Sequence, residues 1–135
     1  MVISCCVLVL GLMIVYSQYT GGLPLQYRWR NCCGKDWKRR FADVPKQDIR
    51  KFLALFAGAF AFAPKQKLKF SPDDKILVIY QALYPIKAMP DALELETLAT
   101  DLAQAYGVLL QDIWHDDLSL GELFESTLNH ITATD

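Results

Sequence analysis

The chain has 135 residues, 53% of them apolar, and a formal net charge of −1. That length holds one ordinary domain and excludes two full-sized ones. The near-neutral total conceals a split. Residues 1–69 carry twelve Lys and Arg against Asp36, Asp43 and Asp48, a net of +9, and residues 70–135 carry Lys75 and Lys87 against twelve acids, a net of −10. Its four cysteines stand as two vicinal pairs, Cys5-Cys6 and Cys32-Cys33, without Cys-x-x-Cys spacing, which argues against a disulfide framework or a zinc ribbon.

From the N-terminus, residues 2–16 bear no charge, and the uncharged stretch runs on to Tyr27. A helix over residues 2–19 would rise ~27 Å, close to the ~30 Å of a hydrocarbon core. A cleaved signal peptide fits less well, because no positive n-region precedes the apolar run and no small-x-small site follows it. A buried core helix is the other alternative. Arg28, Arg30, Lys35, Lys38, Arg39 and Arg40 crowd the C-terminal flank, and Tyr16, Tyr19, Tyr27 and Trp29 suit an interfacial belt. The reading is a retained single-pass anchor over residues 1–21 in the cell (inner) membrane, with the bulk of the chain in the cytoplasm.

Residues 22–44 then read as an irregular basic juxtamembrane connector. Its expected membrane-interface residues are Arg28, Trp29, Arg30, Trp37, Lys38, Arg39 and Arg40, which anionic headgroups would attract. No nucleic-acid motif accompanies the charge, so no nucleic-acid partner is expected. Residues 45–64 form a helix opened by Pro45 and closed by Pro64, apolar nearly all round. Twelve apolar residues are too few to span a bilayer, where about 20 are needed. The segment fits either an interfacial helix or a core helix.

Residues 65–135 have the texture of a small helical domain. Ser71-Pro72-Asp73-Asp74 offers a helix start, and Ile76, Ile79, Tyr80 and Leu83 fall on one stripe of a helix over Asp73–Tyr84. A second helix begins at Asp91 and runs to about Tyr106, with Gly107 as its stop. Leu95, Leu98, Ala99, Leu102 and Tyr106 share one face, with Asp91, Glu94 and Asp101 on another. Leu109, Leu110, Ile113 and Trp114 are core candidates on a short turn. Ser119 with Glu122 makes a capping box before a last helix whose Leu120, Leu123, Phe124 and Leu128 point inward. The tail 132–135 is expected to fray.

This order of helices resembles an acyl carrier protein over residues 71–128, most closely over Asp91–Leu128. Asp91-Ala92-Leu93 stands where that family has Asp-Ser-Leu, and Leu118-Ser119-Leu120 resembles its Ile-Thr-Thr before the last helix. The resemblance implies a small four-helix bundle, so the fold class is all-α, with an N-terminal transmembrane helix added. It also implies that the acidic face of helix two docks partner enzymes. Ala92 occupies the position of the serine that carries phosphopantetheine, and its methyl group offers no oxygen nucleophile. No cofactor is therefore expected, and the first connecting loop, Pro85–Pro90, is shorter than a carrier's.

His115-Asp116-Asp117 lacks metal-ligand spacing and reads as a solvated turn. Neither a catalytic triad order nor a phosphate-binding glycine loop is present, so no catalytic or metal residue is named. The expected role is a membrane-anchored, non-enzymatic interaction protein. It would meet membrane lipids through its N-terminal half and a protein partner through Asp91, Leu93, Glu94 and Asp101. Two alternatives stand beside it: a carrier-type protein of lipid or fatty-acid metabolism, and a small structural subunit of a membrane complex.

Overall fold

A computed structural model of the chain describes residues 5–13, 23–83 and 93–134. The fold is all-α, as expected. Residues 5–13 are helical (α1), followed by α2 (Leu25–Arg28), α3 (Gly34–Arg40) and α4 (Lys46–Ala59). A 3-10 helix (Pro64–Lys69) precedes α5 (Ile76–Leu83), α6 (Leu93–Tyr106), α7 (Leu110–Ile113) and α8 (Leu120–Thr134). Among the described residues no helix is long and apolar enough to cross a membrane. The expected anchor over 1–21 falls largely outside the described residues, and so do Asp91, Ala92 and the loop before them.

α4 is the central element. Ile49, Phe52, Leu53, Phe56, Ala57 and Phe60 recur at helical spacing and are each 4% exposed or less, which resolves the two readings of residues 45–64 in favour of a core helix. What made the segment look apolar all round is its alanines and a glycine. Ala54, Gly58 and Ala61 face water, where small side chains expose little apolar area. α4 packs on the 3-10 helix and on α6, which in turn packs on α7 and α8.

The segment 22–44 is not an irregular connector. Leu23, Tyr27, Cys33, Trp37 and Phe41 are all buried, the last three at successive four-residue intervals along and beyond α3. Trp37 is 1% exposed; its ring meets Phe52 and Phe124 at 6.2 and 5.9 Å, and its indole N–H donates to the Phe70 carbonyl at 2.8 Å. Phe124 of α8 also lies 4.9 Å from Phe41 and 5.0 Å from Phe52. One hydrophobic core therefore runs from Leu23 to Phe124. The boundary expected between residues 64 and 65 passes through it.

The C-terminal half follows the expected pattern with local shifts. α5 starts at Ile76 and not at Asp73, because Ser71–Asp74 closes a turn in which Asp74 Oδ2 accepts from Ser71 N–H at 2.7 Å. Lys75 and Ser119 then form an isolated antiparallel bridge, with Ile76 N–H to the Leu118 carbonyl at 3.0 Å and Leu120 N–H to the Asp74 carbonyl at 2.9 Å. α6 ends at Tyr106, where Gly107 takes φ 70° and donates to the Ala103 carbonyl at 3.0 Å. Ser119 Oγ accepts from Glu122 N–H at 3.2 Å, the expected cap of α8. The α8 helix continues to Thr134, further than the frayed tail expected from sequence.

α4 ends in a Schellman motif. Phe62 N–H reaches the Ala57 carbonyl at 2.8 Å and Ala61 N–H reaches the Gly58 carbonyl at 3.2 Å. Ala61 takes the left-handed position at φ 59°, which ordinarily falls to glycine. Ala61→Gly relieves that strain, less glycine's own entropic cost, and is expected to stabilise the fold by about 0.5–1 kcal/mol. Chemical denaturation measures this; an unchanged or lowered midpoint contradicts the geometry.

Candidate functional site

The expected partner-binding residues lie along α6, whose buried face is made by Leu98 and Leu102, both 0% exposed. Leu93 begins the helix well off that face and is 58% exposed. Glu94 and Asp101, seven residues apart, sit two turns from each other on one flank and are half-buried. Leu93 thus stands on an exposed crest, with Glu94 and Asp101 to one side and Glu96 to the other. Thr97 and Thr100, also near this crest, turn their hydroxyls back to the carbonyls of Leu93 and Glu96 at 2.8 and 3.0 Å. They present no organised nucleophile. Asp91 lies outside the described residues.

On the Glu96 side a groove of about 480 Å³ opens between α6 and α7. Leu95, Ala99, Leu110 and Trp114 line it, and Leu109 stands at its edge, 50% exposed. Sequence reasoning placed Leu109 in the core beside Leu110. Leu109 is the extended residue that precedes α7 and Leu110 the first within it, and of these neighbours Leu110 turns inward. The surface around the groove is uniformly acidic by composition, since residues 88–135 contain ten Asp and Glu and no Lys or Arg. Glu96, which sequence spacing did not single out, lines this groove.

The expected membrane-interface residues are dispersed by the fold. Trp29 is 77% exposed, whereas Trp37 lies in the core described above. Trp37 is the one apolar residue within α3, and that isolation reflects a helix with a single buried stripe. Arg28 turns back onto the Leu23 carbonyl at 3.0 Å. Arg30 forms a two-pronged pair with Asp74 at 2.5 and 3.0 Å, and this bonded carboxylate raises the Arg30 pKa further. Lys38, Arg39 and Arg40 are exposed on α3. Arg39 faces Asp36 at 3.9 Å and Arg40 faces Asp73 at 3.6 Å, both weak surface pairs.

The His115-Asp116-Asp117 turn is divided among partners. His115 Nε2 lies 2.9 Å from Glu122, and Asp117 accepts from Lys75 at 3.0 Å, which lowers the pKa of its fully exposed carboxyl. Among the described residues no group of three His, Cys, Asp or Glu is arranged to hold a metal ion. Cys32 is exposed, while Cys33 is buried with its thiol 3.6 Å from the carbonyls of Asn31 and Lys69. No family model, no curated protein and no solved structure matches the chain.

Burial raises three acidic protons' pKa values: Cys33 above its ordinary 9.0, and Tyr27 and Tyr106 above 10.0. Each folded pKa exceeds the unfolded one, so the stability linked to these groups is complete below the unfolded values and is lost as pH rises through the folded ones. The melting temperature is therefore expected to fall as pH is raised above 9.0, and to fall less at first in Cys33→Ala. A melting temperature that holds steady past 10.0, where tyrosines are ordinarily half ionised, contradicts this assignment.

Proposed function

We propose that this chain is a membrane-anchored, non-enzymatic interaction protein that presents the acidic α6 to a basic surface on a protein partner. The observation that carries the reading is Leu93. It stands 58% exposed on a crest between Glu94, Asp101 and Glu96, and Leu109, 50% exposed at the edge of the neighbouring groove, adds apolar surface beside the same acids. The surrounding acids select a basic partner and speed the encounter, with Leu93 adding a desolvated contact. The resemblance to acyl carrier proteins supplies the same mode, because helix two is the docking element there, and Ala92 leaves docking without cargo.

Anchoring rests on residues 5–13, a helix without a charged side chain, and on the uncharged sequence that extends to Tyr27. With the basic flank at its C-terminal side, a spanning segment would leave the folded body on the cytoplasmic face of the inner membrane. The reading as a structural subunit packed through residues 45–63 is less favoured, because Phe52, Leu53 and Phe56 are fully buried in this chain's own core.

A photo-crosslinking residue in place of Leu93, in the cell that makes the protein, is expected to give one dominant adduct. Reversal of Asp91, Glu94 and Asp101 to lysine should reduce that adduct at least tenfold, with the circular dichroism spectrum unchanged. An adduct that persists after reversal removes the acidic face from the docking surface.

A further inference from the structure

We infer that the face built from α3, the start of α4 and the 3-10 helix docks on an anionic bilayer, with two adjoining clefts that receive lipid phosphates. The inference rests on the membrane reading above and names the surface that would meet the headgroups.

The first cleft, about 300 Å³, has Trp37, Ile49 and Leu68 as an apolar floor. Lys35, Lys38, Lys46 and Arg50 stand around it, all exposed. The second, about 460 Å³, is lined by Arg28, Lys65 and Lys69, with the amides of Asn31 and Gln66 and the exposed indole of Trp29. Arg30 also lines it, but its guanidinium is held by Asp74. The two share a seam. Cys33 N–H donates to the Leu68 carbonyl at 2.7 Å, so the neighbours Asn31 and Cys32, and likewise Leu68 and Lys69, divide between the clefts.

No Asp or Glu lines either cleft. The ion pairs found among the described residues use Arg30, Arg39, Arg40, Lys75 and His115. Lys38 donates to the Ala42 carbonyl at 3.2 Å and Lys69 to the Arg30 carbonyl, contacts that leave their charges unneutralised. Besides Arg30, seven cations line the clefts and no acid does, Asp36 and Asp48 in the first turns of α3 and α4 standing outside both linings, so the local charge suits an anionic surface.

Three features favour a bilayer as that surface. Trp29, at 77% exposure, sits at the rim of the second cleft, where an indole suits the headgroup level. α1 exposes Val7, Leu8, Leu10, Leu12 and Met13, each by more than half of its surface. Ten residue steps separate Met13 from Leu23, a reach of at most ~35 Å, so a bilayer that takes up α1 lies within range of this face. Each cation brought to an anionic surface strengthens binding by about fivefold.

Cys32, exposed on the first cleft, reports on docking, and Cys33 is buried. The full chain carrying Cys5→Ser and Cys6→Ser is placed in nanodiscs of phosphatidylcholine alone, or with about one third phosphatidylglycerol. An uncharged polymer-linked maleimide then labels Cys32. Labelling is expected to slow at least about fivefold in the anionic discs, and to recover with Lys35→Glu/Lys65→Glu or in about 1 M salt. Quenching by brominated lipid, taken as the difference between the chain and its Trp29→Phe variant, should rise in the same discs. Equal labelling and equal quenching in both discs would overturn the docking face, while carbonate-resistant insertion left the anchor standing. Release by carbonate with no entry into discs would remove both. Protection of Cys32 by single-stranded DNA to the same degree as by anionic discs would assign the face to nucleic acid and overturn the lipid assignment.

Discussion

Everything in this fold depends on where Trp37 is held. It comes from the most basic stretch of the chain, within a helix that is otherwise charged or glycine, and it enters the core against Phe52 of α4 and Phe124 of α8. The indole N–H finds the Phe70 carbonyl, so a large polar-tipped side chain is buried with its one donor satisfied. Phe70 itself stacks with Phe62 and meets Phe56 edge-on, and Tyr27 closes the far side at 5.2 Å. Aromatic rings from five stretches of sequence thus converge, and the two oppositely charged halves of the chain share one interior.

That sharing settles how the charges are used. At the seam, the halves meet through Arg30 with Asp74 and Arg40 with Asp73, where opposite charges lie close enough to help. The Arg30 pair is the substantial one, because both prongs engage and Asp74 is only 11% exposed. Away from the seam the charges separate onto different surfaces. Cations gather around the clefts beside the 3-10 helix, and acids surround α6 and α7. The proposed division of labour, a lipid-facing basic side and a partner-facing acidic side, follows from a near-neutral molecule built out of two charged halves.

The C-terminal helices were legible in the sequence because their signals are local. Gly107 after Tyr106, Ser119 three residues before Glu122, and the leucine spacing of α6 each specify an element without help from the rest of the chain. The role of residues 22–44 was obscured because tertiary packing overrode composition. Cys33, Trp37 and Phe41 do carry a four-residue rhythm, but six Lys and Arg around them drew attention to the surface they cover. Of the candidate site, the exposure of Leu93 could be read from its offset against Leu95, Leu98 and Leu102. The groove beside Glu96 could not, since it depends on how α7 seats against α6 and on which of two adjacent leucines turns inward.

The central claim is that residues 23–64 complete the core of residues 65–135, and thermal unfolding of the two lengths of chain tests it directly. Residues 23–135 should unfold in one cooperative transition, with strong near-ultraviolet dichroism from packed aromatic rings. Residues 65–135 alone lack Trp37, Phe52 and Phe56 against which Leu98, Leu102 and Phe124 are buried, and should show no cooperative transition. Independent cooperative folding of residues 65–135, with native near-ultraviolet dichroism, would contradict the account.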